Sequence, residues 1–285
     1  MNDQNAPELP QLPPRGRHTH KGDYGRALLI GGSVGMSGAI GLAGMAALRS
    51  GAGLVNLAIP ETCQSTVASF DPCYMTWPLP CDRRGRIGAV ALDRIEEVTQ
   101  FATAIGCGPG LGRSDELVAL IQWLYCRPEQ PMVFDADALY AVSQLSEFPE
   151  SGGPRILTPH PGEFARLTGA EIESADQRVD RAVAAAREFR VTMVLKGHGT
   201  VVTDGAQVYV NHTGNPGMAT GGSGDVLTGI ITALLCQGMS PFPAAQLGVY
   251  LHGLAGDKAK EYVGMVSLTA SDLVDHLPAA FAEHE

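Results

Sequence analysis

Short apolar runs alternate with stretches of helical length from residue 26 onward. The runs lie at residues 27–30, 54–59, 102–105, 132–134, 155–157 and 192–195. Because they are almost continuously apolar, they predict strands that are buried on both faces of a mostly parallel sheet. The helix-length segments between them predict crossover connections that cover this sheet. The pattern is typical of a doubly wound α/β fold with helices on both faces.

The rhythm changes in the C-terminal third of the chain. Residues 200–203 and 207–210 flank Asp204-Gly205, which predicts a hairpin with a tight turn and a small antiparallel addition to the sheet. Long helical patterns follow at residues 223–236 and 242–262. Residues 1–20 contain four prolines and no apolar periodicity, so we expect an extended arm followed by a single domain over residues 21–285.

Composition narrows the class of protein. With 20 basic and 30 acidic residues the net charge is −10, which argues against an unspecific grip on nucleic acid or on an acidic membrane. The uncharged stretches at residues 27–48 and 226–256 are interrupted by glycine, serine or proline, so neither predicts a membrane span. The six cysteines include no Cys-x-x-Cys pair and no signal peptide is evident, which favours a cytoplasmic protein with free thiols.

The most informative segment is a glycine-rich turn that opens into an apolar helix at residues 215–230. Its residues 221–224, here called the anion loop, place three glycines around Ser223, so consecutive N–H groups can converge on an anion at the helix N-terminus. The loop consists of Gly221, Gly222, Ser223 and Gly224. Asp225 follows in the first helical turn. It is either a simple capping group or the base that accepts a hydroxyl proton during phosphoryl transfer.

Other polar loops follow predicted strands, at the sheet edge where open α/β proteins bind ligands. His160 and Glu163 lie in a Thr-Pro-His-Pro-Gly-Glu-Phe run at residues 158–164. They lack a third zinc ligand nearby, so His160 fits a ligand contact better than a metal site. Pro161 and Glu163 could equally be ordinary helix-starting residues. Lys196 suits a nucleotide phosphate, or alternatively an exposed turn.

Two acidic residues, Asp135 and Asp137, follow the run at residues 132–134. They suit Mg²⁺ held partly through water, although Asp137 equally fits a helix N-cap. Glycine-rich segments at residues 31–38 and 106–112 line more of the same edge, and each alone is a weak imitation of a dinucleotide fingerprint.

Taken in order, these segments resemble the NAD(P)H-hydrate dehydratase family, which has a ribokinase-like fold. The match runs from about residue 20 to residue 257. It is carried by the segments at residues 20–25, 51–53, 108–112, 135–139, 157–164, 196–200, 215–229 and 252–257. Each motif alone is unspecific, whereas the ordered set is highly specific.

The resemblance implies the roles of individual residues. It implies an adenine-nucleotide site, for ADP or ATP, formed by Lys196, Gly197, His198, Gly199, Thr200 and Gly224. It implies a site for hydrated NAD(P)H formed by Ala39, Gly110, His160 and Asp225. Asp225 would be the catalytic base, and Mg²⁺ would be the cofactor, held by residues that the sequence does not identify. The implied reaction returns the S epimer of hydrated NADH or NADPH to NAD(P)H.

The chain differs from the family pattern at one residue of the nucleotide loop and in the length of sequence that precedes the match. His198 stands where the family usually has a small residue, so we expect a differently shaped nucleotide loop. About 20 residues precede the match, so we expect the chain to work with a separate NAD(P)H-hydrate epimerase. The resemblance also implies a homo-oligomer, a tetramer.

Two alternatives remain open from the sequence. One is a small-alcohol kinase of the same fold, of the thiazole or hydroxymethylpyrimidine type, which would share the anion loop and the base. The other is a nucleotide-binding regulatory protein without catalysis, which the retention of Asp225 beside an intact anion loop disfavours.

Overall fold

A nine-stranded sheet forms the centre of the computed structural model, which describes residues 8–172 and 174–285. In chain order the strands are β1 Arg26–Ile30, β2 Leu54–Pro60, β3 Met75–Leu79, β4 Ala104–Cys107, β5 Met132–Phe134, β6 Arg155–Leu157, β7 Thr192–Leu195, β8 Val201–Thr203 and β9 Val208–Val210. Their order across the sheet is β3-β2-β1-β4-β5-β6-β7-β8-β9. Strands β1 to β7 are parallel, and β8 and β9 are antiparallel additions. This confirms the predicted fold class.

Helices cover both faces of the sheet. They are α1 Ser37–Arg49, α2 Gln64–Ala68, α3 Leu92–Thr99, α4 Asp115–Cys126, α5 Ala136–Ser143, α6 Pro161–Thr168, α7 Ala175–Phe189, α8 Ser223–Cys236, α9 Pro241–Val263 and α10 Ala270–His284. One apolar core lies between the sheet and α1, α8, α9 and α10, and a second lies under α3 to α7. The sheet separates two cores because side chains alternate between its faces along each strand. In β1, Leu29 faces the first core, whereas Leu28 and Ile30 face the second.

Helix α8 is the element that carries the anion loop at its N-terminus. Its observed bounds coincide with the predicted helix at residues 223–236, and it is buried along most of its length against α1. At Gly229 a Cβ would lie 2.1 Å from the Ala43 carbonyl oxygen, so glycine is needed for this close approach. Within the described part of the chain no helix is long and apolar enough to cross a membrane.

The observed strands differ from the sequence-based expectation at two main places. The strand expected at residues 102–105 is observed at Ala104–Cys107. Thr103 N–H still donates to the Arg26 carbonyl at 2.9 Å, but it is the Thr103 side-chain oxygen that accepts from Arg26 N–H, at 2.8 Å, so the regular ladder begins one residue later. Strand β3 was not predicted. It contains Pro78 and is half exposed, and it pairs only with β2 at the sheet edge, where a missing N–H is tolerated.

The described part of the N-terminal segment, residues 8–20, contains no α-helix or strand and lies against its own chain. Leu9 and Leu12 pack against the first core, and the Pro10 carbonyl oxygen lies 2.9 Å from Nε2 of His284 in α10. Residues 1–7 of the predicted arm lie outside the described residues.

Candidate active site

The carboxyl ends of the parallel strands bring most of the predicted site residues to one edge of the sheet. The loop after β1 contacts the loop after β4. At Gly110, where φ is +62°, a Cβ would lie 2.4 Å from the Met36 carbonyl oxygen and 3.1 Å from the Ala39 Cβ. Ala39 and Gly110 are therefore neighbours, and this junction excludes a side chain at position 110.

The anion loop presents unpaired backbone donors. Gly222 adopts a left-handed conformation, with φ of +92°, and no side chain caps helix α8. Among the described residues, the backbone N–H groups of Gly221, Gly222, Gly224 and Asp225 have no hydrogen-bond acceptor. A helix N-terminus with free N–H groups attracts an anion.

A buried ion-pair cluster lies directly beside this loop. Lys196 Nζ donates to Asp135 Oδ1 at 2.6 Å and lies 3.9 Å from Glu163 Oε2. Thr228 of α8 donates its hydroxyl hydrogen to Asp135 Oδ2 at 2.8 Å. A Cβ at Gly224 would lie 3.3 Å from Lys196 Nζ, so the ammonium group lies beside the anion loop. The Lys196 side chain is only 19% exposed, so it is not a solvated turn lysine.

Burial and neighbouring charges shift the pKa values of the ionisable groups in and beside this cluster. Burial alone would lower the pKa of Lys196, but the charges of Asp135, Glu163 and Asp225 outweigh it and the pKa is raised. Burial raises the pKa of the Asp225 carboxyl to about 7; repulsion from Asp135 adds to this shift and Lys196 opposes it. Burial also raises the pKa of Glu163. A carboxyl group that titrates near neutral pH can accept a proton efficiently.

Asp225 has no hydrogen-bond or ion-pair partner among the described residues, although it is half-buried. The capping interaction that the sequence also allowed is not observed, since no side chain caps α8. Its carboxylate is therefore available to a bound molecule.

His160 and Glu163 start helix α6. The His160 Nδ1 atom accepts from the N–H groups of Gly162 and Glu163 at 3.0 and 3.3 Å, and Glu163 Oε2 accepts from His160 N–H at 2.8 Å. The helix-start interpretation is thus observed. The His160 side chain is nevertheless 56% exposed, which leaves its outer edge accessible to a ligand.

The loop at residues 196–200 needs its glycines. Gly197 and Gly199 have φ of +140° and +65°, and Thr200 donates its hydroxyl hydrogen to the Gly197 carbonyl at 2.9 Å. His198 is exposed at the tip of this loop. These residues form a compact polar turn at the carboxyl end of β7.

Asp137 does not cap a helix, which was one of the two roles that the sequence allowed. The residue at the N-cap of α5 is Asp135, whereas Asp137 accepts from the Gly112 N–H and from Arg113 Nε, each at 2.9 Å. Asp137 therefore ties the loop after β4 to the loop after β5.

Sequence reasoning missed His252 of α9 as an individual residue. Its Nε2 lies 3.3 Å from Ser223 Oγ in the anion loop. Burial, together with the nearby charge of Lys196 and against a hydrogen bond from Ser223, lowers the pKa of His252 to about 4, so the imidazole is neutral at pH 7. Only the run at residues 252–257 signalled this region.

Within residues 8–172 and 174–285 no group of three or more His, Cys, Asp and Glu side chains could hold a metal ion. Both oxygens of Asp135 already accept hydrogen bonds, and Asp137 is similarly engaged. The side chains of these described residues do not form a metal cage by themselves.

The sheet order and the anion loop at its carboxyl edge define a ribokinase-like α/β protein. A hydroxyethylthiazole kinase from Pyrococcus horikoshii shares this fold at a TM-score of 0.56, with 18% identity over 86% of this chain and 94% of the kinase. Residues 27–279 match the sequence model of the NAD(P)H-hydrate dehydratase family. The chain belongs to this family.

The names of individual relatives are consistent with this family assignment. A Moorella thermoacetica protein named bifunctional NAD(P)H-hydrate repair enzyme Nnr is 47% identical over 272 residues, which are 94% of this chain and 51% of the relative. An ADP/ATP-dependent NAD(P)H-hydrate dehydratase from Bacillus subtilis, co-crystallised with ATP/Mg²⁺, superposes with a TM-score of 0.84 and 32% identity, over 99% of this chain and 100% of that one. The chain spans about half the length of the curated relatives it matches.

Proposed function

We propose that the protein dehydrates the S epimer of hydrated NADH or NADPH, using ADP or ATP as the phosphoryl donor. The observation that carries this proposal is Asp225, an unpaired carboxylate with a pKa of about 7, next to the unpaired N–H groups of the anion loop. This arrangement couples a base to a phosphate cradle. Family membership supports the choice of substrate.

The reaction begins with the hydroxyl group on the hydrated nicotinamide ring. Asp225 accepts its proton while the oxygen attacks the terminal phosphoryl group, so a P–O bond forms and AMP or ADP leaves. The N–H groups of the anion loop and the Lys196 charge stabilise the transferred phosphoryl group. The carbon–oxygen bond then breaks as the ring nitrogen's lone pair expels phosphate, and loss of a ring proton restores NAD(P)H.

The two ligands occupy different parts of the sheet edge in this proposal. The nucleotide contacts the loop from Lys196 through Gly197, His198 and Gly199 to Thr200, together with Gly224. The hydrated dinucleotide contacts Ala39, Gly110, His160 and Asp225. The contact of Gly110 with Ala39 supports a shared surface for the second ligand.

Mg²⁺ fits this site only as a partner of the nucleotide. Because the described carboxylates form no three-ligand group, the nucleotide phosphates and water would supply most ligands, with Asp135 and Asp137 reached through water. When bound, the ion would neutralise charge on the transferred phosphoryl group. The relative from Bacillus subtilis was co-crystallised with ATP/Mg²⁺, which supports this proposal.

The stoichiometry of the reaction tests this function. The full chain is incubated with hydrated NADH, Mg²⁺ and either ADP or ATP, and the products are followed by phosphorus NMR. For each NADH formed we expect one free phosphate, together with one AMP from ADP or one ADP from ATP. A stable phosphorylated alcohol would instead support the small-alcohol kinase, whose fold a distant thiazole kinase shares. Nucleotide binding without turnover would support the regulatory protein.

We further propose the cellular setting. The substrate is a product of the NAD(P)H pool, and all six cysteines are free thiols, which supports the cytoplasm. Because relatives are named bifunctional repair enzymes, we infer functional pairing with an NAD(P)H-hydrate epimerase activity. We also propose that residues 21–285 act as one domain and that the protein is a homotetramer; a monomer by light scattering would contradict the latter.

A further inference from the structure

A small basic hairpin lies over the dinucleotide end of the proposed site. Residues 80–88, here called the basic hairpin, follow β3 and close through the Asp82 N–H, which donates to the Arg86 carbonyl at 2.8 Å. The Gly85 carbonyl oxygen accepts from the Val34 N–H at 3.1 Å. Although β3 is the edge strand, the basic hairpin therefore reaches the loop after β1, which leads to Ala39.

The basic hairpin also contacts the loop that carries Gly110. Arg86 donates from Nη1 to the Arg113 carbonyl oxygen, and its aliphatic carbons would lie 3.0 Å from a Cβ at Gly112. Arg83 and Arg84 are exposed at the hairpin tip. Three arginines thus lie on a segment that covers the junction of the two proposed substrate loops.

Arg113 is held in place beside this hairpin. Its Nε donates to Asp137 Oδ1 at 2.9 Å, and its guanidinium carbon lies 4.2 Å from the centre of the Tyr140 ring. A second guanidinium, from Arg166, lies 5.7 Å from the same ring. These contacts limit the side chain's freedom before any ligand arrives, which reduces the entropy that binding must remove.

The outer nitrogens of Arg113 are unused. Among the described residues neither Nη1 nor Nη2 has a hydrogen-bond acceptor, and the side chain is 56% exposed. A guanidinium fork with two free nitrogens matches a phosphate group in geometry and charge. The positive charge at Arg113 is a local feature, whereas the chain as a whole carries a net charge of −10.

We propose that Arg113 binds a phosphate of the dinucleotide's pyrophosphate bridge, and that Arg83 and Arg84 extend this subsite along the dinucleotide. The inference rests on the proposed function and adds the residues that recognise the non-reacting end of the substrate. Arg113 forms an ion pair with Asp137, and Asp137 lies close enough to Asp225 to raise the pKa of the Asp225 carboxyl. A dinucleotide whose ring meets Asp225 thus has its phosphates within reach of Arg113.

The test compares a substrate that has phosphates with one that has none. Initial rates are measured for the full chain with hydrated NADH and with the hydrate of reduced nicotinamide riboside, in the presence of Mg²⁺ and saturating ADP, or ATP where only ATP supports turnover. Arg113→Gln should raise the KM for hydrated NADH by about tenfold to a hundredfold, the range expected for charge-assisted hydrogen bonds. The same variant should keep the ADP KM and the rate on the riboside hydrate, because neither involves the proposed contact.

Three further variants sharpen the comparison. Arg113→Lys should recover part of the loss, because the charge remains while the fork is removed. Arg181→Gln, which changes an exposed arginine on α7, should leave every constant unchanged. The double variant Arg83→Gln with Arg84→Gln should raise the KM for hydrated NADH without changing the rate on the riboside hydrate.

The outcomes separate this inference from the proposed function. An unchanged KM for hydrated NADH in Arg113→Gln would overturn the phosphate subsite, and so would an equal loss on both hydrates, which indicates a structural or electrostatic effect on Asp225. A wild-type chain that prefers neither hydrate would also overturn it. A wild-type chain that binds ADP or ATP but dehydrates neither hydrate with either nucleotide and Mg²⁺ would overturn the proposed function itself.

Discussion

The pH dependence of turnover follows directly from the surroundings of Asp225. Burial and the Asp135 charge raise the pKa of this carboxyl to about 7, against the opposing effect of Lys196. As a base, Asp225 works only when deprotonated, so activity is present above this pKa and is lost as the pH falls through it. Since a group with this pKa is roughly one-tenth deprotonated at pH 6 and nine-tenths at pH 8, kcat/KM for hydrated NADH should rise about tenfold between them.

The assay for this prediction is kcat/KM for hydrated NADH at saturating nucleotide from pH 6 to pH 8, because this ratio reports the pKa of the enzyme before hydrated NADH binds. Enzyme held at each pH and then returned to pH 8 controls for inactivation, and a blank without enzyme controls for breakdown of the hydrate. Asp135→Asn should move the acidic limb to lower pH, because it removes a negative charge that raises the pKa of Asp225. A flat wild-type profile would refute the reasoning, since an ordinary carboxylate is fully ionised throughout this range.

Three substitutions test other parts of the account. Asp225→Asn should keep nucleotide binding by calorimetry but lose about 10²- to 10⁴-fold in turnover, because an amide cannot accept the proton; near-normal turnover would reject the assigned base. Gly224→Ala should weaken nucleotide binding by about 1–3 kcal/mol, because its Cβ would lie 3.3 Å from Lys196 Nζ and would hinder a phosphate that bonds the N–H groups of the anion loop. Unchanged affinity would place the phosphate elsewhere. Arg155→Met should lower the free energy of unfolding in urea by about 3–5 kcal/mol, because the buried guanidinium donates to several carbonyls in its surroundings; a loss below about 1 kcal/mol would contradict this role.

Much of the fold was predictable because burial leaves a mark on single segments. Strand β5 is an unbroken apolar run, and β6 and β7 are apolar after their first residues, Arg155 and Thr192. Helix α8 is apolar enough for its bounds to be predicted. Strand β3 could not be found in this way, since a half-exposed edge strand with Pro78 has no such pattern.

The site was predictable only in outline. The sequence identified loops at the ends of strands, and the parallel topology brings such loops together. It did not reveal which side chains meet there. The pairing of Lys196 with Asp135 joins residues 61 positions apart, and that of Thr228 with Asp135 joins residues 93 apart. Such contacts depend on tertiary packing, and so does the pKa that makes Asp225 a useful base.

The most direct test of the central claim is absorbance in the NADH band while the full chain is mixed with hydrated NADH, Mg²⁺ and either ADP or ATP. The proposed dehydratase predicts a rise that requires a nucleotide, and the nucleotide that supports it identifies the phosphoryl donor. No rise with either nucleotide, in a preparation shown to bind one of them, would contradict the dehydratase and direct the search to alcohol substrates of a kinase.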